Sequence, residues 1–384
     1  MIVEVKGVQF VNKGAALMLY AILERVRSTF QDVKFTIVPN PYSCPYEKLT
    51  ALGVYPKIWL QRYKIQWGYF ANKLPQKLLQ RYGLIVDAQV DVVLDASGFA
   101  YGDQWGPGNT VSMAKAMRRW RKQGTRVILL PQAFGPFTGR QIRRAFRTVA
   151  ELADRIYARD PVSYRYVVDV AGNVMNLRQA PDFTVLINGK VPSSFDSSRH
   201  EVAIIPNSKM VEKTTTEVAK RYIPFLAICI RSFLAAGLKP FFLIHAGPKD
   251  EAVAYEVIKT VDEEIPVIVK DNPLEVKGII GVSKAVVCSR YHGLVSALSQ
   301  RIPAIATSWS HKYHTLLEEY NCTEFLLSPD LNDDEIRQAI DKFIKNMEHL
   351  KKQLEAPAEK HKRAAEEMWK DVLDIMAEGR KTRT

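Results

Sequence analysis

The chain has 384 residues, 47% of them hydrophobic, which supports a large buried core divided between two domains of ordinary size and excludes a disordered chain. Its four cysteines, Cys44, Cys229, Cys288 and Cys322, stand far apart with no C-x-x-C pair, which excludes a secreted disulfide framework and fits a reducing cytosol. The net charge of +13 is one-sided: residues 1–190 carry 27 Lys/Arg against 13 Asp/Glu, an excess of 14, and the remainder carries 27 against 28.

Two acid-free stretches, 55–86 and 104–150, hold that excess, the second with ten basic residues. Such a half attracts nucleic acid, anionic lipid headgroups or anionic substrates, and charge alone does not choose among them.

The opening MIVEVKGVQF reads as a first strand, not as a basic segment followed by an apolar one, so no signal peptide is expected. A helix follows from about Lys13, and then KFTIV, VDVVLD, TRVILL and RIYARD alternate with amphipathic helical stretches. That alternation predicts mostly parallel sheets covered on both faces. INGKVPSSFDSSRH, 187–200, has the polar composition of a linker, after which EVAIIP, KPFFLIH, IPVIV, KAVVCS and IPAIAT restart the pattern. The apolar run from Ile223 to Ile244 is broken by Arg231, Lys239 and Pro240, too early for a membrane span. From about Asp333 to Arg380 the chain is charged and helical, with no further strand. The expected domains are 1–188 and 200–345, with a helical segment 346–384 reaching across the domain junction. No internal repeat or low-complexity tract is present.

In open parallel sheets ligands bind beyond the carboxyl ends of strands, and with two such domains the cleft between them is the expected site. Four strand ends qualify. Asn12, Lys13 and Gly14 open the first helix, where they make either an ordinary cap or an anion pocket. The loop from Asp95 to Gly106, with Gly98 and Asp103, is longer than a plain connection and interleaves glycine with aromatics; it reads equally as a binding loop or a long structural one. Arg159 can clamp a carboxylate or phosphate, or pair with Asp160 or Asp154. Richest is SRYHG, where Ser289, Arg290, Tyr291 and His292 stand between a buried strand and a helix N-terminus, a place that favours anions and keeps an imidazole neutral until one arrives. IPAIAT is the next strand and ends before Ser-Trp-Ser-His311-Lys312, so Arg290, His292 and Lys312 fall on neighbouring strand ends.

The sequence lacks G-x-x-x-x-G-K-[ST], G-x-G-x-x-G, G-x-S-x-G and H-E-x-x-H, which removes the usual support for NTPase, dinucleotide-binding, serine-hydrolase and zincin readings. His311, His314 and Glu318 have helical spacing but no fuller metal signature, so no metal is expected.

Asn12-Lys-Gly-Ala, the Asp95–Gly106 loop, PQAFGP, ARDPVS, APDF at 180–183, and SRYHGLVSAL followed by RIPAIATSWSHKY occur in the order found in the polysaccharide pyruvyl transferases, which this sequence resembles over most of residues 1–320. The resemblance implies two Rossmann-like domains similar to the glycosyltransferase type B (GT-B) architecture. It implies transfer of a pyruvyl group from phosphoenolpyruvate onto a sugar as a ketal, with no cofactor. Arg290 and His292 match the family's donor-site pair, Lys312 its downstream basic residue, and Arg159 the arginine of its ARD motif. Asn12, Lys13, Gly14, Gly98, Ser289 and Tyr291 are expected around the substrates, with the Asn12 and Asp95 loops facing the donor residues from the first, acceptor-side domain, and Asp95 or Asp103 is the candidate base. A nucleotide-sugar glycosyltransferase is the nearest alternative. A nucleic-acid binder lacks a module or stacking face to support it.

One segment has no counterpart in those motifs. Residues 55–83 carry six basic residues and no acid, with Trp59, Tyr63, Trp67, Tyr69 and Phe70 interleaved. As an amphipathic helix it would suit the inner, anionic face of a membrane where lipid-linked acceptors reside; it reads equally as a basic helix packed on the first domain.

Overall fold

Near-continuous apolar runs are what strands buried on both faces require. The computed structural model, which describes residues 1–59, 61–62, 65–308 and 312–381, gathers them into two parallel sheets. The strands of the first sheet are β1 (Ile2–Lys6), β2 (Lys34–Ile37), β3 (Val54–Pro56), β6 (Val92–Asp95), β7 (Arg126–Gln132), β8 (Arg155–Ala158) and β9 (Leu177–Gln179), in the order β3-β2-β1-β6-β7-β8-β9. A separate antiparallel pair, β4 (Gln61–Arg62) and β5 (Ile65–Gln66), follows β3. The second sheet contains β10 (Val202–Ile205), β11 (Pro240–Ile244), β12 (Val267–Val269), β13 (Ala285–Cys288) and β14 (Ala304–Ala306), ordered β12-β11-β10-β13-β14.

The helices in the first half of the chain are α1 (Lys13–Thr29), α2 (Tyr46–Ala51), α3 (Gln76–Arg81), α4 (Gly108–Gln123), α5 (Arg140–Leu152) and α6 (Pro161–Ala171). In the second half they are α7 (Lys209–Glu212), α8 (Thr216–Ala235), α9 (Gly247–Val261), α10 (Pro273–Val282), α11 (Tyr291–Ser299), α12 (Lys312–Glu319), α13 (Asp333–Gln353) and α14 (Glu355–Lys381). Caps set several boundaries: Asp160 accepts from the Ser163 N–H ahead of Pro161, and Asn332 and Glu335 form a reciprocal capping box at α13. The apolar run 223–244 is the end of α8 followed by β11, and no helix among the described residues is long and apolar enough to cross a membrane.

Contacts divide the chain into a first unit of Met1–Phe10, Met18–Phe183 and Ala364–Thr384, and a second of Val11–Leu17 and Thr184–Arg363. Each unit has its own core. In the first, Val93, Val127 and Leu129 pack with Trp120 of α4 and Phe146 of α5, and the Phe137 and Phe146 rings stack with centroids 4.3 Å apart. The C-terminal part of α14 joins this unit through Arg155–Asp371 at 2.7 Å and an edge-on Phe183–Trp369 contact. In the second, β10, β11 and β13 are buried along their whole length, and every residue of α11 from Gly293 to Ser299 is buried.

Two expectations change. Residues 187–200 do not behave as a loose linker: the Lys190 N–H donates to the Leu274 carbonyl, and Phe195 and His200 pack on Phe241. The 55–83 segment is not one amphipathic helix but β3, the β4–β5 pair, a 3₁₀ stretch Trp67–Lys73 and the six-residue α3. Pro56 and Pro75 cannot continue a helical hydrogen-bond ladder, which breaks the segment at both places. Tyr63 lies outside the described residues, as do the side chains of Trp67 and Tyr69. Lys57, one of the basic residues expected on a surface, is buried between Glu4 at 2.5 Å and Asp87 at 2.6 Å.

Candidate active site

In the second unit the chain runs β10, β11, β12 to one side and returns to β13, β14 on the other, so the strand order reverses between β10 and β13. The carboxyl ends flanking such a reversal are where open parallel sheets bind ligands. Asn207 follows β10, and Ser289, Arg290, Tyr291 and His292 follow β13.

A buried carboxylate orients Arg290. Its Nε lies 2.8 Å from Asp250 Oδ2, and its Nη2 donates to Asp250 Oδ1, a two-point ion pair at a fully buried acid. Asp250 belongs to the first turn of α9, which favours a negative charge, and also accepts the Ser208 N–H at 3.0 Å. Burial pushes its carboxyl up from the ordinary value, against the pull of Arg290 and the Ser208 N–H. With Nε and Nη2 committed, Nη1 is the Arg290 donor that carries no hydrogen bond to a described residue.

His292 lies against the start of α1. A Cβ on Gly14 would sit 2.4 Å from His292 Nδ1, so only glycine at this position lets the imidazole pack there. Asn12 accepts the Gly14 N–H on Oδ1 at 3.1 Å, which caps α1, and the Lys13 N–H donates to the His245 carbonyl at 3.1 Å. Lys13 is buried along its stem and reaches Asp271 at 3.3 Å. Helix start, strand ends and His292 are thereby brought together within one unit.

His245, just past β11, is a residue the sequence reading passed over. It is 3% exposed, and its Nδ1 is buried with no hydrogen-bond partner among the described residues. Burial, and after it Arg290, His292 and Lys13, hold its imidazolium form off, so the ring titrates well below the usual histidine range. A neutral imidazole surrounded by cations suits an anion, whose arrival would offset each of those repulsions.

Ser289 and Tyr291 anchor the turn. The Tyr222 hydroxyl accepts the Asn207 N–H at 3.0 Å and donates to Ser289 Oγ at 2.7 Å, while the Ser289 carbonyl accepts Asn207 Nδ2 at 2.7 Å and the Tyr313 hydroxyl at 2.9 Å. The Tyr291 ring meets His292 edge-on, and Lys312 Nζ lies 5.2 Å from its centroid. Cys288 is no nucleophile, since burial pushes its thiol up to about 12.

Asp95, Gly98, Asp103 and Arg159 lie in the first unit, at the ends of β6 and β8, which flank β7, and in the loop after β6. Asp95 is fully buried; its Oδ1 accepts the Ser97 N–H at 3.1 Å and the Ser97 hydroxyl, and its Oδ2 accepts the Tyr101 hydroxyl at 2.5 Å. Gly98 takes φ +68°, the left-handed region open to glycine, and its carbonyl accepts the Ala133 N–H at 2.9 Å. Asp103 is half-buried and accepts the Thr138 N–H and hydroxyl on Oδ2, both at 2.8 Å. Arg159 is buried and its Nη1 lies 3.2 Å from Asp182 Oδ2, which ties the ARD and APDF motifs together; Asp160 caps α6 instead, and Asp154 takes Arg126.

His311 lies outside the described residues, while His314 and Glu318 are exposed and 4.0 Å apart. Among the described residues no group of three His, Cys, Asp or Glu is placed to hold a metal. The strand-end rule that singled out Arg290 applies equally to His245, the last residue of KPFFLIH. Asp250 and Asp182 carry no such mark, because their partners are 40 and 23 residues away in sequence.

Comparison with solved structures identifies the architecture. The putative UDP-N-acetylglucosamine 2-epimerase of Listeria monocytogenes superposes with a TM-score of 0.62 at 10% identity, over 98% of this chain and 96% of that one. Anabaena HepE in complex with UDP and glucose gives 0.59 at 12% identity, over 98% and 99%. The UDP-GlcNAc 2-epimerase of Neisseria meningitidis gives 0.57 at 12% identity, over 97% and 99%. At such identities the likeness establishes the fold, two Rossmann-like domains of the GT-B type. No curated protein matches the sequence. The family model for polysaccharide pyruvyl transferase does match, across residues 12–311, from the Asn12 cap to the segment after β14, and the chain belongs to that family.

Proposed function

We propose that this protein transfers the pyruvyl group of phosphoenolpyruvate to two hydroxyls of a sugar, in a cell-surface polysaccharide or its lipid-linked precursor, forming a ketal. The observation that carries the reading is the group formed by Asp250-oriented Arg290, His292, His245 and Lys13 at helix starts beside the sheet's reversal point. Phosphoenolpyruvate brings a carboxylate and a phosphate, and Arg290 Nη1, Lys13, Lys312 and the N–H groups opening α11 are suited to both.

His292 is the candidate general acid. It delivers a proton to the methylene carbon, C2 becomes electrophilic, and the first sugar hydroxyl forms a C–O bond there as it loses its proton to a base. The bond from C2 to the phosphate oxygen then breaks, the second hydroxyl closes the ketal, and the two hydroxyl protons are balanced by the new methyl group and the departing phosphate. For the base, Asp103 has Oδ1 without a hydrogen bond to a described residue, whereas both oxygens of Asp95 are taken. Arg159 and Gly98 remain in the proposal as substrate-side residues of the first unit, with Arg159 presented by Asp182.

The buried free thiols of Cys44, Cys229, Cys288 and Cys322 support a cytoplasmic site of action. The structural likeness to proteins solved in complex with UDP and UDP-GlcNAc keeps a nucleotide-sugar transferase as the competing reading. Incubation with phosphoenolpyruvate labelled in its carbon skeleton and a panel of lipid-linked and soluble glycans tests the proposal. Label is expected in glycan with release of one inorganic phosphate per ketal, and its loss in His292→Ala; label from UDP sugars alone would replace this reading with the other.

A further inference from the structure

Between the 3₁₀ stretch Trp67–Lys73 and the end of α3, large apolar side chains face outward at a regular interval. Phe70 is 56% exposed, Leu74 42%, Leu78 43% and Tyr82 59%. Leu78 and Tyr82, four residues apart and joined by the Tyr82 N–H to Leu78 carbonyl hydrogen bond, share one side of α3, exposed Leu74 and Phe70 precede the helix, and buried Leu79 anchors it to the first unit. Single exposed apolar groups are ordinary, but four large ones exposed within thirteen residues of chain are a concentration of apolar surface.

Each of the last three is immediately preceded by an exposed basic residue, Lys73, Lys77 and Arg81. From residue 48 to residue 86 the chain has no acidic residue. A protein groove for such a surface does not call for a cation beside every anchor. An anionic bilayer does: the rings and leucines enter the headgroup boundary, and the lysine and arginine stems extend along it with their charges among the phosphates. Aromatic groups at both ends, Phe70 and Tyr82, suit that interface.

We infer that the exposed group Phe70, Leu74, Leu78 and Tyr82, with Lys73, Lys77 and Arg81, docks the first unit onto an anionic membrane surface. The contact is peripheral, reversible and independent of the donor-site chemistry. Both apolar insertion and charge are required, because three cations at about 1 kcal/mol each are worth only on the order of 100-fold in partitioning.

Sedimentation of the full chain with sucrose-loaded vesicles tests this, using phosphatidylcholine alone and a phosphatidylcholine–phosphatidylglycerol mixture, with near-ultraviolet circular dichroism confirming that each variant is folded. Binding is expected to the mixed vesicles at low salt, to weaken as salt screens the charges, and to be absent with phosphatidylcholine alone. K73Q/K77Q/R81Q is expected to lower partitioning on the order of 100-fold, and L74S/L78S by at least roughly 10-fold. Absence of binding to the mixed vesicles, or folded variants of either kind that bind like the parent, overturns the inference. So does retention by a mixed-sequence DNA duplex, abolished by the same substitutions, with vesicles left unbound.

Discussion

Arg290 and Asp250 act as a unit. Removing the guanidinium alone leaves a carboxylate buried without its partner, a change that costs about 3–5 kcal/mol in comparable sites, out of a total stability of roughly 5–15. Arg290→Ala is therefore expected to lower the thermal unfolding midpoint as well as to abolish transfer, and Arg290→Ala/Asp250→Leu to recover the midpoint but not the activity. Gly14 gives a cleaner probe of geometry. Alanine is the better helix former, yet its Cβ would meet His292 at 2.4 Å. Gly14→Ala is expected to keep the protein folded and to reduce turnover by about 100-fold, because a displacement near 1 Å at a reacting group has that effect.

His245 makes a pH prediction. In the unfolded chain its imidazole protonates near the ordinary value of about 6.5, and in the folded protein it stays neutral well below that. Above that ordinary value both states are neutral and the full stability is present. As pH falls below it the unfolded chain gains a proton that the native state refuses, so stability declines by up to about 1.4 kcal/mol per pH unit. Denaturant unfolding between neutral and mildly acidic pH should show the decline, and His245→Asn should remove this component of it. A bound anion reverses the effect, so its binding should draw in protons, which calorimetry in buffers of differing ionisation heat detects.

At the scale of elements, strands were the most legible feature. VDVVLD, TRVILL, EVAIIP, KPFFLIH and KAVVCS are buried on both faces, and that requirement writes an apolar run directly into the sequence. The carboxyl ends of those strands could then be named, which is why Arg290, His292, Asn12 and Lys13 could be picked out; that Asn12 and Lys13 join the second unit and not the first could not, because chain order alone assigns them to the first domain. Partnerships were not legible. Asp250 beside Arg290 and Asp182 beside Arg159 depend on which helix packs over which strand, and periodicity does not encode that. The 55–83 segment misled for a related reason: Lys57, read as part of a basic surface, is buried between Glu4 and Asp87, with Arg119 2.5 Å from Asp87 and the Trp120 indole donating to it at 3.1 Å. Lys57→Ala would leave two buried carboxylates short of a partner and is expected to cost about 3–5 kcal/mol in denaturant unfolding, far more than a surface lysine.

At the scale of the molecule, two runs of strand–helix alternation predict two α/β domains, the family resemblance implies their GT-B architecture, and the comparisons with solved structures bear it out. Fold alone does not select a donor, because the same architecture accompanies UDP and UDP sugars in the neighbours. What argues for a small dianionic donor is local: one oriented guanidinium, two imidazoles and a lysine gathered at helix starts within the second unit. The most direct measurement is isothermal calorimetry of phosphoenolpyruvate and, separately, UDP-glucose against the full chain and His292→Ala. The account predicts saturable binding of phosphoenolpyruvate at one site per chain, tighter at mildly acidic pH and weakened in His292→Ala, with no comparable binding of UDP-glucose. Saturable binding of UDP-glucose with none of phosphoenolpyruvate would contradict it.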